Sequence, residues 1–137
     1  MIALIGCGKK KSSQTCYAQD MYQGLLFKTK RMYCESRGIP FYIISAKYGL
    51  LRPRQVISPY DTTLKRFTPE HRIEWGKKVV SQMEAQGIRR GSRILALAGK
   101  EYLEYIRTQY EVVNPLKNLG LFKQVSFLQE LIKGKKT

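Results

Sequence analysis

The sequence predicts one α/β domain in which helices cover both faces of a small, mainly parallel sheet, a three-layer α/β/α sandwich. Three short apolar runs without polar alternation are typical of strands that are covered on both faces. These runs are residues 2–5, 41–44 and 94–98. Helical segments separate them, and such alternation favours right-handed crossovers around a parallel sheet. The 137 residues suit a single domain, 1–137, without a linker or repeat.

Apolar residues at one-turn spacing, together with start and stop signals, predict the helices. The first covers about residues 20–36 and stops before Gly38. The second begins after Thr68, a potential N-cap that precedes proline, and ends at Gly87. A short helix follows Gly99, and a last helix carries Leu121, Val125, Leu128 and Ile132 on one stripe. Residues 133–137 are predicted to be a frayed basic tail.

Charge is the strongest global signal. The chain has 25 Lys and Arg against 10 Asp and Glu, a net charge of +15. Because each neutralised phosphate releases counterions, this imbalance predicts a nucleic-acid partner, with a solubilising surface as the alternative. No run approaches the roughly 18 apolar residues of a membrane helix, and no signal peptide is evident. The three cysteines lack CxxC spacing, so we expect a cytoplasmic protein without a membrane partner, disulfide framework or zinc site.

The first strand leads into a glycine turn. Ligands of such sheets bind beyond the carboxyl ends of the strands, where this chain has Gly6, Cys7 and Gly8, followed by Lys9 and Lys11. Backbone amides and lysines there predict a phosphate-binding turn, while a tight turn with solvated lysines is the alternative. Cys7 either packs the turn or acts as a nucleophile. Neither GxxxxGK[ST] nor GxGxxG fits, so ATP and NAD are disfavoured and no cofactor is expected.

The second strand leads into the most informative segment, residues 45–64. About 20 residues without clear periodicity usually form a functional loop. Its candidate site residues are Ser45, Lys47, Tyr48, Gly49, Tyr60, Asp61 and Thr63. The two tyrosines can stack on a base. Seven of the ten acidic residues fall on predicted helices, whereas Asp61 lies in this loop, where it either caps a turn or takes part in catalysis.

The remaining polar candidates limit the chemistry. His71, the only histidine, falls in the first turn of a helix among charged residues and is expected to be solvated. Neither a Ser-His-Asp triad nor a two-histidine zinc site is therefore predicted, and hydrolysis would depend on a carboxylate or a lysine. Asn118 precedes the last helix, whose first amides can face a phosphate or a base edge, with a capped turn as the alternative.

Five ordered segments resemble a known family. They are residues 6–11 (GCGKKK), 21–27 (MYQGLLF), 45–50 (SAKYGL), 59–64 (PYDTTL) and 115–120 (PLKNLG). Together they are similar to a bacterial and phage family of small domains of unknown function, related to the YaaA peroxide-stress proteins and more distantly to uracil-DNA-glycosylase-like folds. The resemblance implies a glycosylase-like sandwich and, for some relatives, excision of modified bases from DNA, including phage DNA. Those relatives often carry His in place of Tyr48, which implies altered specificity or lost activity if that histidine takes part.

Several candidate site residues suit the steps of base excision. The nucleotide must leave the stack, rest against an aromatic ring and acquire oxocarbenium character while water attacks. Asp61 suits the water-orienting carboxylate, while Lys47 and the glycine turn suit the departing base. Tyr48 or Tyr60 supplies the stacking face. The leading hypothesis is a monofunctional DNA glycosylase, and the alternatives are a non-catalytic nucleic-acid-binding module and an enzyme of free nucleotides.

Overall fold

The computed structural model describes residues 1–134, in which strands and helices alternate. The strands are β1 (Ile2–Gly6), β2 (Cys16–Tyr17), β3 (Phe41–Ser45), β4 (Gly49–Leu51), β5 (Val56–Ile57), β6 (Arg93–Leu97) and β7 (Glu111–Val113). The helices are α1 (Ala18–Met21), α2 (Leu25–Arg37), α3 (Pro69–Ala85), α4 (Lys100–Leu103) and α5 (Leu121–Gly134), with 3₁₀ turns at Leu64–Arg66 and Ile106–Thr108. Within residues 1–134, no helix is long and apolar enough to cross a membrane.

The main sheet has the order β4-β3-β1-β6-β7. Strands β3 and β6 flank β1 in parallel, β7 is parallel to β6, and β4 alone runs antiparallel at the edge. The carboxyl ends of β1, β3 and β6 therefore meet at one edge of the sheet. The predicted mixed α/β class and mainly parallel sheet are confirmed. The prediction missed β4, β7 and the antiparallel pair β2 and β5, because strands of two or three residues leave no periodic pattern.

Helices cover both faces of this sheet, since successive strand residues point to opposite sides. On one face, Leu4, Ile44 and Ala96 pack with Trp75 and Met83 of α3. On the other face, the strands pack against α2 and α5 through Ala3, Ile5, Ile43, Leu97, Phe27 and Leu128. All of these residues are buried. The two cores hold the central strands from both sides and fix where the strand ends point.

The predicted helix over residues 20–36 is wrong as a single element. It divides into α1 and α2, and the segment between them, residues 22–24, is extended at Tyr22 and Gly24. Pairing with the preceding loop explains the break, because Lys11 forms a β-bridge with Tyr22 and the Ser12 amide donates to the Met21 carbonyl at 2.7 Å. The predicted stop is confirmed, since Gly38 caps α2 in the left-handed region at φ 64°.

The last helix also differs from the prediction. Val125 and Leu128 are buried, but Leu121 is 59% exposed, so the apolar stripe is shorter than predicted. Lys133 and Gly134 belong to α5 rather than to a frayed tail. The rest of the predicted tail, residues 135–137, lies outside the described residues.

Helix α3 begins as predicted and reaches the carboxyl edge of the sheet. The Thr68 hydroxyl accepts the His71 amide at 3.1 Å, and proline follows the cap. The His71 ring is exposed and stacks on Phe67 at 3.7 Å between centroids. Deeper in the helix, the Trp75 indole Nε1 donates to the Ser45 carbonyl at 3.0 Å. This bond ties α3 to the last residue of β3.

Candidate functional site

A chain of three hydroxyl groups, which we name the hydroxyl chain, joins Ser45, Tyr60 and Tyr22. Ser45 Oγ donates to Tyr60 Oη at 2.7 Å, and the Oη atoms of Tyr60 and Tyr22 are 2.6 Å apart. Burial raises the pKa of both phenols, and the nearby Cys7 thiol adds to the rise. Both tyrosines therefore stay neutral near pH 7 and hold the end of β3, the loop at residue 60 and the end of α1 together.

Ser45 also orients the residues that follow β3. Its Oγ accepts the amides of Lys47 and Tyr48 at 3.3 and 3.2 Å, which forms a local turn. Its side chain is fully buried. Ser45 therefore positions the predicted site without facing solvent itself.

The hydroxyl chain brings several predicted site residues together. Lys11 Nζ lies 4.7 Å from the centroid of the Tyr60 ring, and Lys47 Nζ lies 5.3 Å from that of Tyr48. The two tyrosine rings meet edge to face at 5.5 Å. Because the negative face of an aromatic ring attracts a cation, these contacts hold both ammonium groups at the carboxyl edge of the sheet.

Asp61 follows Tyr60 and is exposed in a cleft of about 450 Å³, which we name the Asp61 cleft. The cleft is lined by Lys47, Tyr60, Asp61, Thr62, Thr63, Arg66 and Phe67. Seven of the ten acidic residues form ion pairs within residues 1–134, and Asp61 is not among them. A free carboxylate thus shares the cleft with the cations of Lys47 and Arg66.

Thr63 has a structural role in this cleft. Its Oγ1 accepts the Lys65 amide at 3.4 Å and caps the 3₁₀ turn Leu64–Arg66. The turn places Arg66 on the cleft wall. Thr63 therefore holds the turn that forms one wall of the Asp61 cleft.

The turn formed by Gly6, Cys7 and Gly8, the Cys7 turn, lies at the same edge. The Cys7 amide donates to the Ile44 carbonyl at 3.2 Å, and its Sγ lies 3.2 Å from Tyr102 Oη. A Cβ on Gly6 would come 3.1 Å from Ala98 Cβ, so this glycine permits close packing of β1 against the end of β6. Cys7 and Gly8 are half-buried and Lys9 is exposed. The turn thus reaches solvent beside the hydroxyl chain.

Gly49 has a structural role in the turn after β3. It is buried with φ 73°, and its missing side chain leaves room for Gln82. The Gln82 side chain donates to the Tyr48 carbonyl at 3.2 Å and accepts the Leu50 amide at 2.8 Å. Gly49 is therefore required by backbone conformation and close packing.

Asn118 lies apart from the Asp61 cleft. It has φ 68°, is exposed, and lines a separate cavity of about 580 Å³ beyond the ends of β6 and β7. Lys100, Arg107 and Lys117 line the same cavity. The left-handed backbone at Asn118 fits the capped-turn alternative, and the cavity adds a second basic surface at this edge.

Sequence reasoning missed Lys30, a buried lysine of α2. Its relative exposure is 6%, and burial lowers the pKa of its ammonium to about 8, a shift that the nearby Cys7 thiol partly opposes. The available signal was its position, because Phe27, Lys30 and Cys34 follow the three- and four-residue spacing of an inward helix stripe. Tyr22 was also missed, since the sequence placed it among the apolar residues of the helix predicted over residues 20–36.

The comparisons with known proteins identify a family. The chain belongs to DUF6884, a family of unknown function, whose model matches residues 2–130. This match confirms a small domain of unknown function, and the matched residues include the Cys7 turn, the hydroxyl chain and the Asp61 cleft. No curated protein matches the chain.

Proposed function

We propose that this member of DUF6884 acts on nucleic acid, DNA in preference to RNA, and hydrolyses the N-glycosidic bond of a modified base. The observation that carries this proposal is the free carboxylate of Asp61 in a cleft with Lys47, on a chain with net charge +15. The resemblance of the motifs to YaaA-type and uracil-DNA-glycosylase-like domains supports the same reaction class.

Binding would depend on cations at the carboxyl edge of the sheet. Lys9, Lys47 and Arg66 are exposed there, and Lys11 is held beside them over Tyr60. Phosphates that meet these side chains release counterions, so affinity should fall steeply as the salt concentration rises. The electrostatic field of these cations would attract the DNA strand before the base enters the Asp61 cleft.

The reaction requires few groups. With a flipped nucleotide in the Asp61 cleft, the C1′–N bond breaks and its electron pair leaves on the base. A water oxygen bonds to C1′ while its proton passes to Asp61, whose charge also offsets that of the sugar. The Lys47 ammonium donates to the departing base. Phe67 and Tyr60 line the cleft and offer aromatic faces to the nucleotide.

Measuring abasic sites tests this assignment. Duplexes with a panel of modified bases are incubated with protein and heated in alkali, and strand breaks are counted. Asp61→Asn should lower base release about 10²-fold or more. Glu70→Gln is the matched control, because Glu70 is another exposed carboxylate outside the ion pairs of the described residues. Equal release by Asp61→Asn and wild type would refute the mechanism.

A non-catalytic nucleic-acid-binding module is the second candidate. It is favoured by the Asp61 carboxylate, which no hydrogen bond orients within residues 1–134, unlike the fixed hydroxyl chain. This candidate predicts salt-dependent binding without base release, and equal or tighter binding by Asp61→Asn, since one negative charge is removed. Lys9→Ala should weaken binding under either candidate and therefore tests the surface alone.

A further inference from the structure

The cavity beyond β6 and β7, which we name the Lys117 cavity, lies at the same edge of the sheet as the Asp61 cleft. Ala98, which follows β6, and Lys117, which follows β7, both line it. Within residues 1–134 it shares no lining residue with the Asp61 cleft. Its volume of about 580 Å³ lies within the range of about 300–1,000 Å³ that is usual for ligand sites. The Lys117 cavity is therefore a separate feature, and it is large enough for a nucleotide.

One side chain, that of Arg72, contacts a wall of each cavity. Its Nη1 donates at 3.5 Å to the carbonyl of Phe67, which lines the Asp61 cleft. Its Nε lies 3.9 Å from Oε2 of Glu104, which lines the Lys117 cavity. Strands β3 and β6, whose ends lead to the two cavities, are separated in the sheet by β1 alone. Because neighbouring strands lie about 4.8 Å apart, these strand ends are about 10 Å from each other.

Three cations without a partner line the Lys117 cavity. Lys100, Arg107 and Lys117 are exposed, and their side chains form no ion pair or hydrogen bond within residues 1–134. A guanidinium presents a planar set of donors that matches two phosphate oxygens, and an ammonium adds a compact charge. The cavity therefore has the donors that a phosphate group requires.

Two acidic residues reduce this charge without cancelling it. Glu104 lines the cavity, but it already pairs with Arg72. Glu101 lies beside the cavity, since a Cβ on the lining residue Gly99 would come 3.0 Å from Glu101 Oε2. With Arg72 included, four cations face two carboxylates, an excess of two positive charges. The local field therefore favours an anion.

Three amide side chains line the cavity, and two of them hold its wall. Asn114 Oδ1 accepts the Leu116 amide at 3.2 Å, and Gln124 Nε2 donates to the Leu119 carbonyl at 2.8 Å. The Asn118 side chain forms no hydrogen bond within residues 1–134, and its left-handed backbone follows the same turn. An amide both donates and accepts, so Asn118 can meet a phosphate oxygen or the edge of a base.

We propose that the Lys117 cavity binds a second nucleotide of the strand whose modified base enters the Asp61 cleft. Lys100, Arg107 and Lys117 bind its phosphate, and Asn118 binds the phosphate or the base. A strand carries one phosphate per about 3.4 Å, so about 10 Å corresponds to a separation of about three nucleotides. The substrate class is therefore a strand of several linked nucleotides and not a free nucleotide. This inference rests on the nucleic-acid partner of the proposed function and extends it to a second contact.

Binding of a labelled oligothymidylate of about 12 nucleotides tests the second contact. Its dissociation constant is measured by fluorescence anisotropy over a range of chloride concentrations. Arg107→Met should raise the dissociation constant about threefold to tenfold at about 0.1 M salt. It should also make the dependence of log affinity on log salt concentration shallower by about 1, because one phosphate contact is lost. Lys117→Met should act in the same direction.

Arg89→Met is the matched control for Arg107→Met. Arg89 is exposed, forms no ion pair within residues 1–134, and precedes β6 at the opposite edge of the sheet. Both variants remove one positive charge, so an effect of net charge alone would be equal in the two. We expect Arg89→Met to bind within about twofold of wild type. Equal losses of affinity in the two variants would overturn the proposal.

Competition distinguishes a strand from a free nucleotide. Thymidine monophosphate and unlabelled oligothymidylate are compared as competitors at equal total phosphate concentration. Because linked nucleotides occupy both cavities at once, the oligonucleotide should compete at least about tenfold better. Equal competition by the monophosphate would overturn the linked-strand substrate and assign the cavity to a free nucleotide.

Asp61→Asn separates this proposal from the glycosidic reaction. Since Asp61 lies outside the Lys117 cavity, the variant should bind the oligonucleotide at least as tightly as wild type. Weaker binding by Arg107→Met than by Arg89→Met, without base release by wild type, would support the second contact and remove the reaction. Base release that depends on Asp61, with equal binding by Arg107→Met and Arg89→Met, would do the reverse.

Discussion

Helices α2 and α3 cover opposite faces of one sheet and bury different kinds of residue. The buried residues of α3 are Trp75, Gly76, Val79, Val80 and Met83. Those of α2 include Thr29 and Lys30 beside Phe27 and Cys34. The Thr29 hydroxyl donates to the Leu25 carbonyl within the helix at 2.8 Å, but Lys30 has no hydrogen-bond partner among residues 1–134. Apolar packing accounts for the α3 face, whereas burial of the Lys30 ammonium on the α2 face is unfavourable.

The hydroxyl chain shows the same difference between the α2 and α3 faces. It lies on the α2 side with Tyr22 and Tyr60, both of which pack with the core beneath α2. Trp75 on the α3 side makes one fully formed hydrogen bond to Ser45 and no unused donor remains on its indole. The α3 face therefore acts as the apolar support of the sheet, whereas the α2 face carries the buried polar groups.

The largest expected effect is on the α3 face. Trp75→Ala removes a side chain that is 6% exposed and leaves the Ser45 carbonyl without its indole donor. We expect the free energy of unfolding to fall by about 3–5 kcal/mol, measured by urea denaturation. Trp75→Phe keeps most of the ring volume and should lose less. A loss below about 1 kcal/mol for Trp75→Ala would show that this face is not the support.

On the α2 face, Lys30→Met should instead raise the free energy of unfolding. The lysine pKa falls from 10.5 to about 8 on folding, so the unfolded state binds more protons between these values and the wild type gains stability as pH rises through them. Below pH 8 the penalty is complete. Removing the charge should therefore stabilise the protein at pH 7 by up to about 3 kcal/mol, with no gain above about pH 10.5.

Comparing the two proteins at each pH isolates this effect. The raised pKa of Cys34, about 12, and the raised pKa of Tyr22 lower stability in alkali in both proteins, so their effects cancel in the difference. Lys28→Met should show no pH-dependent gain, because that side chain is exposed. A gain for Lys30→Met that stays constant from pH 7 to pH 11 would mean that packing, not charge, explains it.

The next effect concerns the hydroxyl chain. Tyr60→Phe keeps the ring but removes the oxygen that accepts from Ser45 and meets Tyr22. Ser45 is fully buried, so its hydroxyl loses its acceptor, and we expect a loss of about 1–3 kcal/mol in unfolding free energy. Tyr48→Phe is the control, because the Tyr48 hydroxyl bonds only an exposed loop carbonyl, that of Ser58. Equal losses of unfolding free energy in both variants would contradict a specific role for the hydroxyl chain.

The difference between the faces also explains what the sequence could predict. The central strands and α3 follow from apolar runs, a cap and a proline, which are local signals. The break between α1 and α2 depends on pairing of Tyr22 with Lys11 across the intervening loop, and no local pattern reports that contact. Asp61 and Lys47 were predicted from their position after a strand, whereas Lys30 looked like one charge among 25 cations until burial distinguished it.

The smallest effects concern how the two helices begin. Thr68 caps α3 through the His71 amide, whereas Gly24 at the start of α2 offers no side-chain cap. A Cβ at Gly24 would meet nothing within 4 Å, and its φ of −69° suits any residue. Gly24→Ser should therefore stabilise the protein by a few tenths of a kcal/mol, while Thr68→Ala should destabilise it by about 1 kcal/mol, both in urea. A destabilising Gly24→Ser would show that the extended segment before α2, not the missing cap, sets how this helix starts.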